Sequence, residues 1–210
     1  VDPDADRLAV VSEKGVPLGE EYTLVLAAEG YMNKMGTSET FVVNLSTSMA
    51  LEKTAEKYGC RVERTPVGEI NVVKKMIELG ANFGGEGNGG VILKEAHFGR
   101  DSLVGVTMVL NRMVQNKKSL SEIYSVLPQF KIVKDKLSLE GLNVESALKN
   151  VRKKYSDVEV NDMDGLKLTW DDKWIHLRKS NTEPILRIYA EASNKSEAWN
   201  LVESVKSALQ

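Results

Sequence analysis

Three segments of this 210-residue chain carry residue types whose spacing suits chemistry. The first is Asp2-Pro3-Asp4-Ala5-Asp6-Arg7. Aspartates at alternate positions can converge in a tight turn, and three carboxylates make a hard oxygen site of the kind Mg²⁺ takes. An EF-hand competes for the same residues, and Glu13 falls at its twelfth position. Its sixth position needs glycine for a sharp turn, however, and holds Arg7, and a β-type run follows. A solvated acidic terminus is the remaining alternative. The second segment is Gly84-Gly85-Glu86-Gly87-Asn88-Gly89-Gly90. Gly85, Gly87 and Gly90 satisfy G-x-G-x-x-G, but that dinucleotide fingerprint must open a helix, and Val91-Ile92-Leu93 reads as a strand. A loop that lets backbone approach a ligand closely fits better. Glu86 and Asn88 could then accept from and donate to sugar hydroxyls. A glycine-rich hairpin without a ligand is the plain alternative.

The third segment, Arg178-Lys179-Ser180-Asn181-Thr182-Glu183-Pro184, is the clearest oxyanion signal. Ser180, Asn181 and Thr182 are short donors between two strands, and Arg178 and Arg187 add forks for bidentate phosphate contacts. A polar turn with solvated arginines is the alternative. His97 reads as structural; His176 alternates with Trp174 and Arg178 on one strand face and borders the basic loop without being taken as catalytic; Cys60 reads as a small core residue in a strand. No G-x-S-x-G, H-E-x-x-H or CxxC pattern is present. A metal loop, a hydroxyl-reading loop and a phosphate loop without a nucleophile argue for chemistry on a sugar phosphate with one component missing.

The composition is that of a folded protein: 42% hydrophobic and 28% charged. Lys+Arg 28 against Asp+Glu 30 leaves a net charge of -2, so no global basic field invites nucleic acid. No apolar run approaches membrane-spanning length. One cysteine fits a reducing compartment, so the expected location is cytoplasmic, with neither membrane nor nucleic acid as partner. A dense acidic motif without an initiator Met at the first residues suggests a piece of something longer.

The elements that must position these residues fall into two groups. Residues 7–12 and 16–19 read as a strand, a turn and its return. Residues 20–34 form a mostly buried helix closed by Gly36 and Thr37, and 40–45 a strand. A helix capped by Ser48 shows Leu51, Ala55 and Tyr58 on one face; residues 60–65 alternate as a strand. Ile70, Val73 and Ile77 mark a helix ended by Gly80, and 81–83 a strand running into the glycines. Leu103, Val106, Leu110 and Met113 mark a further helix, and Ser119 with Glu122 forms a capping box. Strands alternating with helices imply an α/β unit with a largely parallel sheet. After Pro128 the order is a strand over 129–136, a helix through Val144 to Tyr155, a hairpin over 166–178, a strand over 185–191, and a helix capped by Asn194 and Glu197. That is a small α+β domain.

Together the three segments resemble the motifs of the α-D-phosphohexomutase superfamily: its metal loop (D-G-D-x-D-R or D-P-D-x-D-R), its sugar loop (G-E-x-S-G) and its phosphate loop (R-x-S-N-T-E-P), in family order. The resemblance implies the tail of a second domain with the metal-binding loop (1–19), a three-layer α/β third domain with a mixed, largely parallel sheet (20–127), and a TATA-binding-protein-like α+β fourth domain (128–210). It implies interconversion of hexose 1- and 6-phosphates of glucose, mannose or glucosamine. A phosphoserine and a hexose 1,6-bisphosphate intermediate would carry the phosphoryl group. Mg²⁺ would sit on Asp2, Asp4 and Asp6, with Arg7 adding positive charge. Glu86 and Asn88 would contact the sugar, and Arg178, Ser180, Asn181, Thr182 and Arg187 the non-reacting phosphate. The N-terminal domains, including the phosphoserine, would be missing partners, so the chain alone is expected to be inactive. The pattern departs from the family at Asn88 (often Ser), Gly90 (often His) and Glu69 (often His), which leaves the acid/base residue open. A non-catalytic sugar-phosphate-binding module is the rival reading.

Overall fold

The computed structural model describes residues 1–35, 39–141, 143–180 and 182–209. The expected helix stop at Gly36 and Thr37, and the expected site residue Asn181, lie outside the described residues. The chain divides into two units, Val1–Pro128 and Gln129–Gln210.

In the first unit the elements are α1 (Glu20–Met35), β1 (Thr40–Asn44), α2 (Ala50–Lys57), β2 (Arg61–Thr65), α3 (Glu69–Leu79), β3 (Phe83–Glu86), β4 (Gly90–Leu93), α4 (Ser102–Asn116) and α5 (Leu120–Ser125). The sheet order is β2-β1-β3-β4. β1 runs parallel to β2 and β3, and β4 closes back antiparallel on β3. Successive strand residues face opposite sides of a sheet, and β1 shows this directly. Phe41 packs with Tyr31 of α1 and Phe83, at ring separations of 5.9 and 5.2 Å. Its neighbour Val42 packs with Val72 and Met76 of α3. Helices therefore cover both faces, and the sheet is the middle layer of three. Burying each such aromatic or aliphatic side chain contributes about 1.5–3 kcal/mol. The carboxyl ends of β1, β2 and β3 converge, which is where open α/β sheets place their ligands.

Several expectations need correction. Residues 7–10 form no strand; only Val11 and Pro17 make an isolated bridge. At Leu8 the backbone is committed elsewhere, its N–H donating to Gly89 O and its carbonyl accepting from Thr23 Oγ1, whereas Val10 O and the Ser12 N–H do pair with Leu18 and Val16 of the return. The first residue of α2 is Ala50 and its N-cap is Met49, not Ser48, whose hydroxyl instead accepts from the Ala50 N–H. Cys60 lies just before β2 rather than in it, although it is buried as expected. In α3, Ile70 and Ile77 are 61% and 60% exposed, while Val72 and Met76 face the sheet. At 100° per residue, 70 and 72 stand on opposite sides; of the three spaced residues only Val73 packs, half-buried, against the inner cluster, so the apolar spacing followed the border of the buried face. In α4 the outcome is likewise mixed, with Val106 and Met113 half-buried. Leu103 and Leu110 are exposed, and the buried face carries Ser102, Gly105, Val109 and Arg112. Gly84 and Gly85 belong to β3, not to a loop. Gly84 allows this because a Cβ there would stand 2.6 Å from both Met76 Sδ and Val42 O.

The second unit contains β5 (Lys131–Ser138), α6 (Val144–Lys154), β6 (Glu159–Asn161), β7 (Leu166–Thr169), β8 (Trp174–Lys179), β9 (Ile185–Ala192) and α7 (Lys195–Leu209). All neighbours in the sheet β5-β9-β8-β7-β6 pair antiparallel. Val133, Leu166, Leu168, Ile175, Leu177, Leu186 and Ile188 pack with Val151, Val202 and Val205 of the helices. Strand β6 is absent from the sequence reading. It is a three-residue edge, Glu-Val-Asn, without an apolar run to announce it.

His176 lies buried in β8, and its Nε2 donates to Asp164 O at 2.7 Å. Burial pushes its pKa from 6.5 down to about 4. The unfolded chain takes the proton near pH 6.5 and the folded one only near 4. Stability is therefore complete above 6.5 and falls as the pH drops towards 4, by on the order of 3 kcal/mol. Urea midpoints at neutral pH and at the lower end of this window should show that loss. His176→Gln, which keeps a donor and does not titrate, should flatten it.

Candidate functional site

The acidic turn closes on itself: the Ala5 N–H donates to Asp2 O at 3.0 Å and the Asp2 N–H to Arg7 O at 3.3 Å. Ala5 takes a positive φ of 59° to make it. Ser102 Oγ, at the start of α4, fastens the turn by donating to Ala5 O at 2.7 Å. One carboxylate oxygen each of Asp2, Asp4 and Asp6 then lie within 4.8 Å of one another. Arg7 folds onto Asp2, donating its backbone N–H to Oδ1 at 3.2 Å and Nε–H to Oδ2 at 2.7 Å. Burial works to raise the Asp2 pKa, but these bonds win and hold the carboxyl below its usual value. Asp6 Oδ2 pairs with Arg100 at 2.6 Å, whereas Asp6 Oδ1 is buried and has no hydrogen-bond partner among the described residues. Glu13, the would-be twelfth EF-hand ligand, instead accepts from the Ser121 hydroxyl and N–H, and the hydroxyl holds its pKa down at about 2.

The glycine segment is a tight β3–β4 hairpin in which Glu86 opposes Gly90. Glu86 is only 2% exposed. A buried carboxylate must be satisfied on all its lone pairs, and this one is. Oε1 accepts from Asn44 Nδ2 at 2.8 Å and from the Gly68 N–H at 3.0 Å. Oε2 accepts from Arg100 Nη1 at 2.7 Å and from Asn88 Nδ2 at 3.4 Å. Gly68 is the N-cap of α3, so the positive end of that helix also faces the charge. The β1–α2 turn that presents Asn44 is rigid. Arg64 Nη1 donates to the carbonyls of Asn44, Leu45 and Thr47 at 2.9–3.0 Å. Thr47 Oγ1 in turn accepts from the Gly87 N–H at 3.1 Å. Asn88 Oδ1 accepts from the Gly90 N–H at 3.2 Å, which fixes the tip of the hairpin.

In the second unit Arg178 of β8 lies directly opposite Arg187 of β9, and Lys136 of β5 lies directly opposite Arg187 on its other side. Cross-strand partners share a face, and like charges directly opposite repel. Arg178 is offset by Asp164 at 2.8 Å and Arg187 by Glu183 at 3.1 Å. Ser180 Oγ lies 3.4 Å from both Arg187 Nη2 and the Thr182 N–H. The β8–β9 turn thus gathers Arg178, Ser180, Thr182 and Arg187 in a small space.

Two residues escaped the sequence reading. Arg100 touches both the acidic turn and the hairpin, and Lys136 extends the arginine row. Lys136 was legible in principle, from the alternation in β5. Arg100 had no local signal, because its partners are distant in sequence. His97 pairs with Asp101 at 3.0 Å. Asp101 caps α4 by accepting from the Leu103 and Val104 N–H groups.

A three-layer α/β unit with an acidic turn and a glycine hairpin at its strand ends, followed by an antiparallel α+β unit with opposed arginines, defines an α/β protein of a particular architecture. Residues 19–130 match the phosphoglucomutase/phosphomannomutase alpha/beta/alpha domain III, and residues 110–208 match the C-terminal domain of the same proteins. The chain belongs to the phosphoglucomutase/phosphomannomutase family. It is 32% identical over 205 residues to a phosphoglucomutase/phosphomannomutase of Thermococcus kodakarensis, covering 96% of this chain and 44% of that one. It is 32% identical over 213 residues to a phosphoglucosamine/phosphogalactosamine mutase of Sulfurisphaera tokodaii, covering 100% and 47%. The chain thus spans about half the length of the curated relatives it matches. In fold it is similar to a Burkholderia thailandensis phosphoglucomutase/phosphomannomutase family protein (TM-score 0.80, 24% identity, 98% of this chain and 44% of that one). It is also similar to an Aspergillus fumigatus N-acetylphosphoglucosamine mutase solved with GlcNAc-6P and magnesium (TM-score 0.66, 15% identity, 100% and 51%). Among the described residues no helix is long and apolar enough to cross a membrane.

Proposed function

We propose that this chain is the sugar- and phosphate-gripping part of a cytoplasmic phosphohexomutase that interconverts hexose 1-phosphate and hexose 6-phosphate of glucose, mannose or glucosamine. Residues 1–19 would be the tail of a second domain, 20–127 a sugar-recognition domain and 128–210 a phosphate-binding domain. The phosphoserine and the bisphosphate intermediate would depend on domains outside this chain. The observation that carries the reading is the direct opposition of Arg178 and Arg187 beside Ser180 and Thr182. Asp164 and Glu183 each offset one of these cations, and two guanidiniums on one face beside hydroxyl and N–H donors suit a dianion. Asn181 is proposed as a further donor of this loop.

The acidic turn fits a divalent cation on its own geometry, since Asp6 Oδ1 is buried without a hydrogen-bond partner among the described residues and oxygens of Asp2 and Asp4 lie within 4.8 Å. Asp2, Asp4 and Asp6 would hold Mg²⁺, which when bound supplies positive charge to phosphoryl oxygens. Arg7 is kept beside the same oxygens by Asp2. In the hairpin, Asn88 is the accessible donor. A sugar hydroxyl reaches Glu86 by replacing the long 3.4 Å Asn88 contact, the weakest of the four bonds Glu86 accepts. Remote grip on the phosphate then supplies binding energy that orients the reacting end.

With no nucleophile among these segments, the 210-residue chain should give no turnover of glucose 1-phosphate in the presence of Mg²⁺ and glucose 1,6-bisphosphate. A coupled assay of the purified chain checks this, and measurable turnover abolished by Asp6→Asn would contradict the assignment of the phosphoryl donor to another part of the enzyme.

A further inference from the structure

The guanidinium of Arg100 joins carboxylates that are distant in sequence. Nη2 lies 2.6 Å from Asp6 Oδ2 in the acidic turn, and Nη1 lies 2.7 Å from Glu86 Oε2 in the hairpin. Glu69, the first residue of α3, seats it. Glu69 Oε1 accepts the Arg100 backbone N–H at 2.7 Å, and Oε2 stands 3.7 Å from Nε. The aliphatic stem of Arg100 runs over Gly90, where a Cβ would collide with Cδ and stand 2.8 Å from Cγ. Glu69 and Gly90 both serve to seat this one side chain.

We propose that Arg100 is a positioning residue that couples the acidic turn to the glycine hairpin, so that a divalent cation held by the turn alters the geometry of the groups that meet the sugar. The proposal rests on the reading of these two segments as cation and sugar sites. The physical argument is competition for one planar fork. Arg100 donates through fixed, divergent N–H groups, so its hold on Asp6 and its hold on Glu86 cannot change independently. A cation arriving at Asp6 Oδ1, which accepts no hydrogen bond among the described residues and stands 3.9 Å from Arg7 Nε, draws charge from that carboxylate and weakens its bond to Arg100 through Oδ2. The guanidinium then settles further onto Glu86, and the Asn88 contact on the same Oε2 loosens. Both partners are partly or fully shielded from water, where such shifts in charge are least screened.

A second route between the segments exists, the Leu8 N–H to Gly89 O bond at 3.0 Å, and the experiment must separate the two. Backbone amide spectra of the full 210-residue chain should be recorded during titration with MgCl₂. In the unaltered protein Mg²⁺ is expected to move the amides of Asp2 and of residues 4–8, and also those of Gly87, Asn88 and Gly89. In Arg100→Met the acidic-turn shifts should remain and the hairpin shifts should be lost, with partial recovery in Arg100→Lys. Gly90→Ala, which pushes the stem aside without removing the charge, should also abolish the hairpin shifts, and it serves if Arg100→Met does not fold. Hairpin shifts of unchanged size in these variants would overturn the proposal in favour of the backbone route. Shifts in the turn but none in the hairpin of the unaltered protein would overturn it while leaving the cation reading intact. No response in either segment would overturn both.

Discussion

Glu29→Ala is expected to lower the stability of the first unit by about 3–5 kcal/mol, a large part of what holds a domain of this size folded. Glu29 of α1 and Arg112 of α4 are both buried and form a two-pronged pair, with Nε to Oε2 at 2.8 Å and Nη2 to Oε1 at 2.5 Å. The Tyr58 hydroxyl adds a third bond to Oε1 at 3.2 Å. Burial acts to lower the Arg112 pKa, but Glu29 outweighs it and the guanidinium stays charged. Removing Glu29 therefore leaves an uncompensated cation between two helices that cross closely at Gly30. The double variant Glu29→Leu/Arg112→Met removes both charges and should recover most of the loss, since replacing a buried pair by apolar groups is often neutral. Urea unfolding of the three proteins checks this. A single variant within about 1 kcal/mol of the unaltered chain would show that the cation finds water.

The second large effect concerns the opposed arginines. Arg187→Ala should weaken binding of a hexose phosphate by about 10–150-fold, the value of one charged hydrogen-bonded contact of about 1.5–3 kcal/mol. Arg178→Ala should cost a similar factor. Stability without ligand should move the other way or not at all. Arg187→Ala relieves a like-charge opposition across β8 and β9 and loses only an exposed ion pair with Glu183, whereas Arg178→Ala also gives up the part-buried pair with Asp164, so the stability expectation is for Arg187→Ala. Calorimetric titration with glucose 6-phosphate, paired with a urea curve on the same sample, reads both quantities. Loss of affinity together with a matching loss of stability would mean that the arginines hold the sheet rather than an anion.

The three candidate segments stand out in the sequence because each is short, contiguous and built from residues with strong local meaning: alternate aspartates, clustered glycines, and arginines around a Ser-Asn-Thr turn. The alternation of strands and helices gave the α/β unit for the same reason, and the two-unit α/β fold of the family followed from it. What the sequence did not show depends on packing. In α3 and α4 the apolar residues outnumber the buried positions, so Ile70, Ile77, Leu103 and Leu110 drew attention to the wrong faces, while the true inner face of α4 holds a charged residue, Arg112. Strand β6 is too short and polar to stand out. Glu86 was read as a free acceptor, yet its four partners come from four separate stretches of chain. Arg100 was passed over within Phe98-Gly99-Arg100-Asp101 because its meaning lies in Asp6, Glu69 and Glu86, none of them near it in sequence.

Whether this chain grips a sugar phosphate is read by calorimetry of the unaltered chain in the presence of Mg²⁺ with four ligands: glucose 1-phosphate, glucose 6-phosphate, inorganic phosphate and glucose. Both hexose phosphates are expected to bind saturably, and more tightly than phosphate or glucose alone. Equal affinity for inorganic phosphate and the hexose phosphates, or no binding of either hexose phosphate, would contradict that expectation.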